Sequence, residues 1–400
     1  MQRVQVTEIR QPDRPSSVGQ WDLLGGEMVM AVEMVARTTI VVALLLGQIV
    51  IGAGSEFGEA SAQPKSSQPV QEEEDEPLYE KLKEHFKQDY LNIGAWLRTD
   101  LDIRGNDEAD DNDGFRVSRF RFMMSGELDL GFGYVMQVDF FRSPSILDGK
   151  FYYHISDPLE LDAGQFKSSF SREVLISGAD RDFIDAAGAP SALAPNRQLG
   201  IQARGWISKD KVSYSAGVFN GNGTENNNDD GKFLYVARVA YSGRPLAFAP
   251  LGFGSEREGD VMEFGLNVAY SDDDDAPIGS LLDNFDGKRF IIGADSHRRW
   301  GKFSVTAEFI YAHLDFDSGG DANPFGFYAT LGYKLSPKTR LAVRFDDLQT
   351  DGLDDDRILV IAAYSHRPTQ ATRFQINYGF DFDNIDVGNH VLTLSGQLRF

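Results

Sequence analysis

From residue 89 onward the chain alternates apolar and polar side chains with a period of two, the rhythm of strands with one greasy face. Leu91, Ile93, Ala95, Leu97, Leu101 and Ile103 fall on one side, and Asn92, Trp96, Arg98, Asp100, Asp102 and Arg104 on the other. Phe120, Phe122, Met124, Leu128 and Leu130 alternate in the same way with Arg119, Arg121, Ser125, Glu127 and Asp129. Sixteen such segments can be marked, near 89–104, 115–131, 132–142, 147–157, 159–167, 196–207, 210–220, 232–242, 259–271, 286–300, 301–316, 324–335, 338–349, 355–367, 371–382 and 389–400. Short connections such as Gly131-Phe132-Gly133 and Ser336-Pro337-Lys338 contrast with long acidic ones at 106–113, 222–231, 271–286, 318–323 and 350–356. An even strand number, tight turns at one rim and longer loops at the other predict an all-β fold, a transmembrane antiparallel β-barrel of 16 strands over 89–400. The longest gap, 168–195, carries Leu175, Ile176, Phe183 and Ile184, which are unusually apolar for a solvent-exposed loop. This third loop is therefore expected to fold inward and narrow the lumen.

The last segment sets Leu392, Leu394, Leu398 and the terminal Phe400 against Thr393, Ser395, Gln397 and Arg399. That ending resembles the signal read by the barrel-assembly machinery, so the machinery is an expected partner through Phe400. Upstream, the apolar run 40–51 is shorter than the roughly 20 residues a membrane helix needs. Arg37 precedes it and Ala60-Ser61-Ala62 follows, the layout of a secretory signal peptide over 34–62. Residues 1–33 have no such character and read as an upstream artefact or disordered. The 63–76 stretch ends in Glu72-Glu73-Glu74-Asp75-Glu76 and reads as a disordered acidic linker. Leu78, Leu82, His85 and Phe86 recur at helical spacing, predicting a short periplasmic helix over 77–88. The expected address is the outer membrane of a Gram-negative-type bacterium, with outer-membrane lipid around the barrel.

Composition narrows the chemistry. With no cysteine, thiol catalysis, disulfides and cysteine-ligated metals are excluded. A net charge of −22 argues against nucleic acid as a partner. A slightly negative mean hydropathy excludes a bundle of membrane helices but not a barrel. His297, His313, His366 and His390 lie on separate predicted strands and form no ligand motif. Asn226, Asn228, Asp230 and Gly231 occupy early positions of a calcium loop, but Ala237 stands where a bidentate glutamate is required. Gly221-Asn222-Gly223 has no following lysine and is a turn, not a phosphate cradle. No catalytic residues, metal site or cofactor are expected. An embedded hydrolase, or a structural or adhesive barrel with a blocked lumen, are the rival readings.

Sixteen strands enclose a water-filled channel, fit for passive diffusion of small hydrophilic solutes or inorganic anions. The inward set includes Arg98, Arg119, Arg121, Arg204, Arg238, Arg344, Arg373 and Arg399, with Asp100, Glu127, Asp129, Asp139, Asp162, Asp295 and Glu308. Arg119 and Arg121 would stand about 7 Å apart on one wall. Either they are unneutralised and draw anions, or they pair with carboxylates of neighbouring strands.

One series of motifs goes further. Arg119-Phe120-Arg121 leads to the strand Tyr134-Val135-Met136-Gln137-Val138-Asp139-Phe140, then Gly164-Gln165-Phe166-Lys167 before Phe170-Ser171-Arg172-Glu173. Asn196-Arg197-Gln198-Leu199-Gly200 and Tyr214-Ser215-Ala216-Gly217-Val218-Phe219-Asn220-Gly221 follow. The series resembles the phosphate-selective porin O and P family, most closely over 115–221. The resemblance implies a homotrimeric sixteen-stranded outer-membrane channel whose third loop folds inward. It also implies a constriction at Lys167, Arg172 and Arg181, with Glu173 beside them, and a wall carrying Arg119 and Arg121. Ser168 stands where the family usually has proline, and Glu173, Asp180, Asp182 and Asp185 dilute the basic charge. A general or weakly selective diffusion channel is the expectation that follows.

Overall fold

A computed structural model describes residues 87–105, 113–208, 211–242, 260–382 and 390–400, all within the compact unit Glu74–Phe400. The strands are β1 (Leu91–Gly105), β2 (Gly114–Glu127), β3 (Phe132–Asp139), β4 (Ser145–Ser156), β5 (Leu159–Lys167), β6 (Arg197–Ser208), β7 (Val212–Phe219) and β8 (Leu234–Ser242). They continue with β9 (Val261–Ile278), β10 (Leu282–Trp300), β11 (Phe303–Phe316), β12 (Phe325–Ser336), β13 (Thr339–Gln349), β14 (Arg357–His366), β15 (Thr372–Asp381) and β16 (His390–Arg399). Each pairs antiparallel with the next, and β16 returns to β1 from His390↔Gly105 to Arg399↔Trp96. The result is a closed barrel of sixteen strands. Two further pairs of residues, Lys87–Gln88 and Asp321–Ala322, add short strands beside β1 and β11. Closure leaves no unpaired sheet edge, which an apolar surround would not tolerate.

The period-two rhythm sorts side chains as expected. In β1, Trp96, Arg98, Asp100 and Asp102 are buried inside, while Leu97 and Ile103 face out. Near the rim that holds Phe400, the outer surface carries aromatic contacts. Phe132 stacks on Tyr153 at 4.6 Å, and Trp300, Phe303 and Tyr333 follow one another at 6.2 and 4.9 Å. Toward the other rim, Phe120 meets Phe140 at 5.9 Å and Phe327 meets Phe345 at 5.7 Å. Two aromatic belts bounding an apolar band are what a membrane-spanning barrel requires.

Two local expectations change, a third lies almost wholly outside the described residues, and one strand carries a feature its rhythm does not show. The 271–286 stretch is not a loop, because β9 and β10 run on through it and turn only at Gly279-Ser280-Leu281. Ser271 and Asp273 point inward to the buried Arg289, while Lys232 pairs with Asp272 and Asp274 outside, so the acidic run is satisfied as strand. Asp129 is not inward; it lies exposed in a single 3-10 turn between β2 and β3. The helix over 77–88 falls outside the described residues up to 86, and residues 87–88 are paired as strand. Finally, β2 carries a bulge, with Arg98 opposite Arg119 and Thr99 opposite Val117, so Ser118 is the extra residue. Below the bulge Arg121 and Met123 face inward; above it Arg116 does, reaching Asp102 at 3.0 Å while Phe115 turns outward.

Within the barrel, residues 168–196 fold as the inward third loop, with the short helices α1 (Arg172–Leu175) and α2 (Gly188–Leu193). Phe170, Val174, Leu193 and Ala194 are fully or nearly fully buried against Phe219, Leu234, Ala269, Ile291, Ile310 and Leu314 of the wall. Those wall positions are apolar although they face inward, because here the loop and not water covers them.

Gly164 shows why the Gly-Gln-Phe-Lys segment begins with glycine. Its φ is +124°, and a Cβ there would lie 2.2 Å from the Gly149 carbonyl oxygen. Gly164→Ala is expected to cost about 1–3 kcal/mol, a strain of the size a forced positive φ brings. Thermal conversion of the compact folded band in semi-native electrophoresis would report it as a lower transition temperature.

Candidate pore and constriction

The inward cations fall into two groups with different work. On β1 and β13–β16 they hold the third loop. Arg98 donates to the Ile184 carbonyl at 2.9 Å while pairing with Asp100 at 3.2 Å. Arg344 reaches the carbonyls of Asp185 and Ala186 and lies over the Phe183 ring at 4.6 Å. Arg373 and Gln397 both donate to the Ala179 carbonyl at 3.0 Å. Arg399 pairs with Asp180 at 2.9 Å and Arg340 with Asp182 at 2.7 Å. From the opposite direction, the Gly188 N–H donates to Asp346. A run of loop carbonyls with no helix or sheet partner is thus satisfied by guanidiniums, the donors best shaped for it.

On β2 to β6 the cations face a cavity of about 1100 Å³, bounded on its other side by residues 169–183 of the loop. Arg121 pairs with Asp139 at 2.7 Å and lies 5.0 Å from the Trp96 ring. Lys150 pairs with Asp162 at 2.6 Å. Arg197 is held by Asp148 at 3.0 Å and by Gln137 at 3.1 Å. Arg204 is shared between Glu160 and Asp162, the latter at 3.0 Å. Lys167 differs: its ammonium donates to the Ile176 carbonyl at 3.1 Å, and among the described residues it forms no ion pair.

Of the residues expected at the constriction, Arg172, Glu173 and Arg181 lie on the loop, and Lys167 ends β5 at its root. Arg172 pairs with Glu263 of β9 at 3.2 Å, and Arg181 pairs with Glu173 at 3.5 Å while donating to its carbonyl at 2.9 Å. The Glu173 N–H in turn donates to Glu308 of β11. Of the expected wall, Arg121, Arg204 and Arg238 line the cavity, and Arg238 is also clasped by Asp295 at 2.8 Å. Arg119 donates to the Ser118 carbonyl beside the bulge, and Arg98 is taken up by the loop; neither lines the cavity. The two open readings of the Arg119–Arg121 pair therefore divide. Arg121 is neutralised across the strand, while Arg119 forms no ion pair among the described residues.

Lys150, Arg197 and Arg340 were missed by the sequence reading. The alternation of Asp148, Lys150, Tyr152 and His154 with Phe151, Tyr153 and Ile155 would have found the first of them. The oxygens of the calcium-like loop serve the chain itself. Asn228 caps the Gly231 N–H, Asp230 accepts from Lys232 and Asp274, and the Lys232 ammonium sits at Asp272 at 2.6 Å.

The same architecture recurs in solved channels. The anion-selective porin from Comamonas acidovorans aligns with a TM-score of 0.56 at 11% identity, covering 77% of this chain and 98% of that one. The outer membrane channel DcaP of Acinetobacter baumannii aligns at 0.52 and 12%, covering 78% and 97%. OmpT of Vibrio cholerae in its trimer form aligns at 0.54 and 12%, covering 78% and 99%. At these identities the likeness is one of fold. A search of curated proteins finds no match. The family model of the phosphate-selective porin O and P family matches residues 91–342, well over half of the chain. The barrel, its inward third loop and that match together place the protein: it is a porin channel and belongs to the phosphate-selective porin O and P family.

Proposed function

We propose that the protein is a passive diffusion channel for small hydrophilic solutes with a weak preference for anions. It works in the outer membrane of a Gram-negative-type bacterium as a homotrimer, without cofactor or covalent chemistry. The short turns and Phe400 then lie on the periplasmic side, where the barrel-assembly machinery would meet the terminal strand. The observation that carries the preference is the wall of Arg121, Lys150, Lys167, Arg197 and Arg204 facing the cavity. The preference is weak because every member but Lys167 is matched by a carboxylate. Paired charges leave little net field for a passing ion.

Planar-bilayer recordings under a salt gradient test this reading. Stepwise currents with a reversal potential on the anion side are expected; no current steps would overturn the channel, and a strong cation preference would overturn the selectivity. Arg119→Ala combined with Arg121→Ala removes two positive charges and leaves Asp139 without its ion-pair partner. The reversal potential of that variant is expected to move toward cations, and an unmoved value would place both arginines off the ion path.

A further inference from the structure

Among its charged lining, the cavity that Lys167 faces also carries apolar groups, which a path for hydrated inorganic ions does not need. Leu175, on the loop inside the barrel, lines the cavity and is 38% exposed within it. Ile176 follows it and gives its carbonyl to Lys167. Met123 and Val135 face the same cavity from β2 and β3, and Phe166 precedes Lys167 on β5 with the Lys150 ammonium 5.4 Å from its ring. The neighbouring cations are engaged with Asp148, Asp139 and Asp162.

We propose that this place is a subsite for organic monoanions with an apolar body, such as aromatic or medium-chain carboxylates. It rests on the anion-preferring reading above and names the solute class. The carboxylate takes the ammonium of Lys167, and the ring or chain covers Leu175 and Ile176, with the buried Met123, Val135 and Phe166 showing only their edges to it. Charge matching favours one negative charge, since a second would stand among carboxylates already holding their own partners. Hydration favours the same choice: where a phosphate meets Leu175 and Ile176 it gives up water to side chains that return no hydrogen bonds, whereas an apolar body gains by leaving water there.

Isothermal titration of the detergent-solubilised full chain with benzoate, acetate and phosphate, with heats from empty micelles subtracted, tests this. Benzoate is expected to bind about tenfold more tightly than acetate, the ratio that burying a modest apolar area supplies, and more tightly than phosphate. Leu175→Ser is expected to bring benzoate down to the level of acetate. Lys167→Gln removes the binding of both, and Lys167→Arg keeps it; compact mobility in semi-native electrophoresis verifies that each barrel is folded. Equal affinities of the unaltered chain for benzoate and acetate overturn the proposal, as does phosphate binding as tightly as benzoate. A Leu175→Ser protein that keeps the full preference overturns it too. The reversal potential reports on the parent reading separately: a cation-side value with the benzoate ratio intact overturns the anion preference of the channel alone.

Discussion

Replacing residues 169–195 with a short glycine–serine linker will raise single-channel conductance several-fold. A barrel of this strand number has a bore wide enough for water throughout. Here the third loop crosses it and is fastened to strands on the far side by Arg98, Arg344, Arg373 and Gln397. Removing the loop returns that cross-section to solvent. It also uncovers Phe219, Leu234, Ile310 and Leu314, so the barrel should unfold at a lower temperature even as it conducts better. Arg344→Ala with Arg373→Ala offers a milder version, loosening the fastenings while leaving the loop in the chain; noisier, partly enlarged currents are expected. Unchanged conductance in both proteins would show that ions travel beside the loop and not past it.

Lys167→Glu will carry the reversal potential from the anion side to the cation side. The substitution changes local charge by two units at a point with no ion pair among the described residues. At about 7 Å and an effective dielectric constant near 20, each unit is worth about 2 kcal/mol to a passing monovalent ion. That exceeds what any already paired residue can contribute, so Lys167→Glu should outweigh the double alanine variant at Arg119 and Arg121. Lys167→Gln should give about half the shift. If Lys167→Glu leaves ion preference where it was, the wall of β2 to β6 does not set it.

The barrel was legible because its signal is repeated. A hydrocarbon surround demands apolar side chains at every second position, and Leu97, Leu101 and Ile103 or Phe374, Ile376 and Tyr378 answer to that demand strand after strand. The inward course of the third loop was legible for a related reason, since Phe183 and Ile184 have no business in open solvent and are in fact buried. Three features escaped. The phase change at Ser118 depends on a register shift with β1, so Arg116 could not be recognised as inward from β2 alone. The acidic run 271–286 reads as loop because beyond the membrane both faces of a strand are free to be polar; only pairing such as Asp272↔Lys288 shows it to be strand. The division of arginines between loop fastening and cavity wall rests on carbonyls about 90 to 200 residues away in sequence, such as those of Ile184 and Ala179. A local rhythm tells which way a guanidinium points and nothing about what waits there.

The extended hairpin of β9 and β10 does more than lengthen two strands. Its turn lies against α2: the Ser280 N–H donates to the Ser191 carbonyl at 2.9 Å, and Ile278 and Leu281 share the packed cluster of Ala192 and Leu193. At Gly279 a Cβ would stand 2.2 Å from the Ala192 carbonyl oxygen, so the two backbones touch with nothing between them. The hairpin tip is thus one more fastening of the third loop, a backbone clamp on α2 that complements the guanidiniums on the opposite wall.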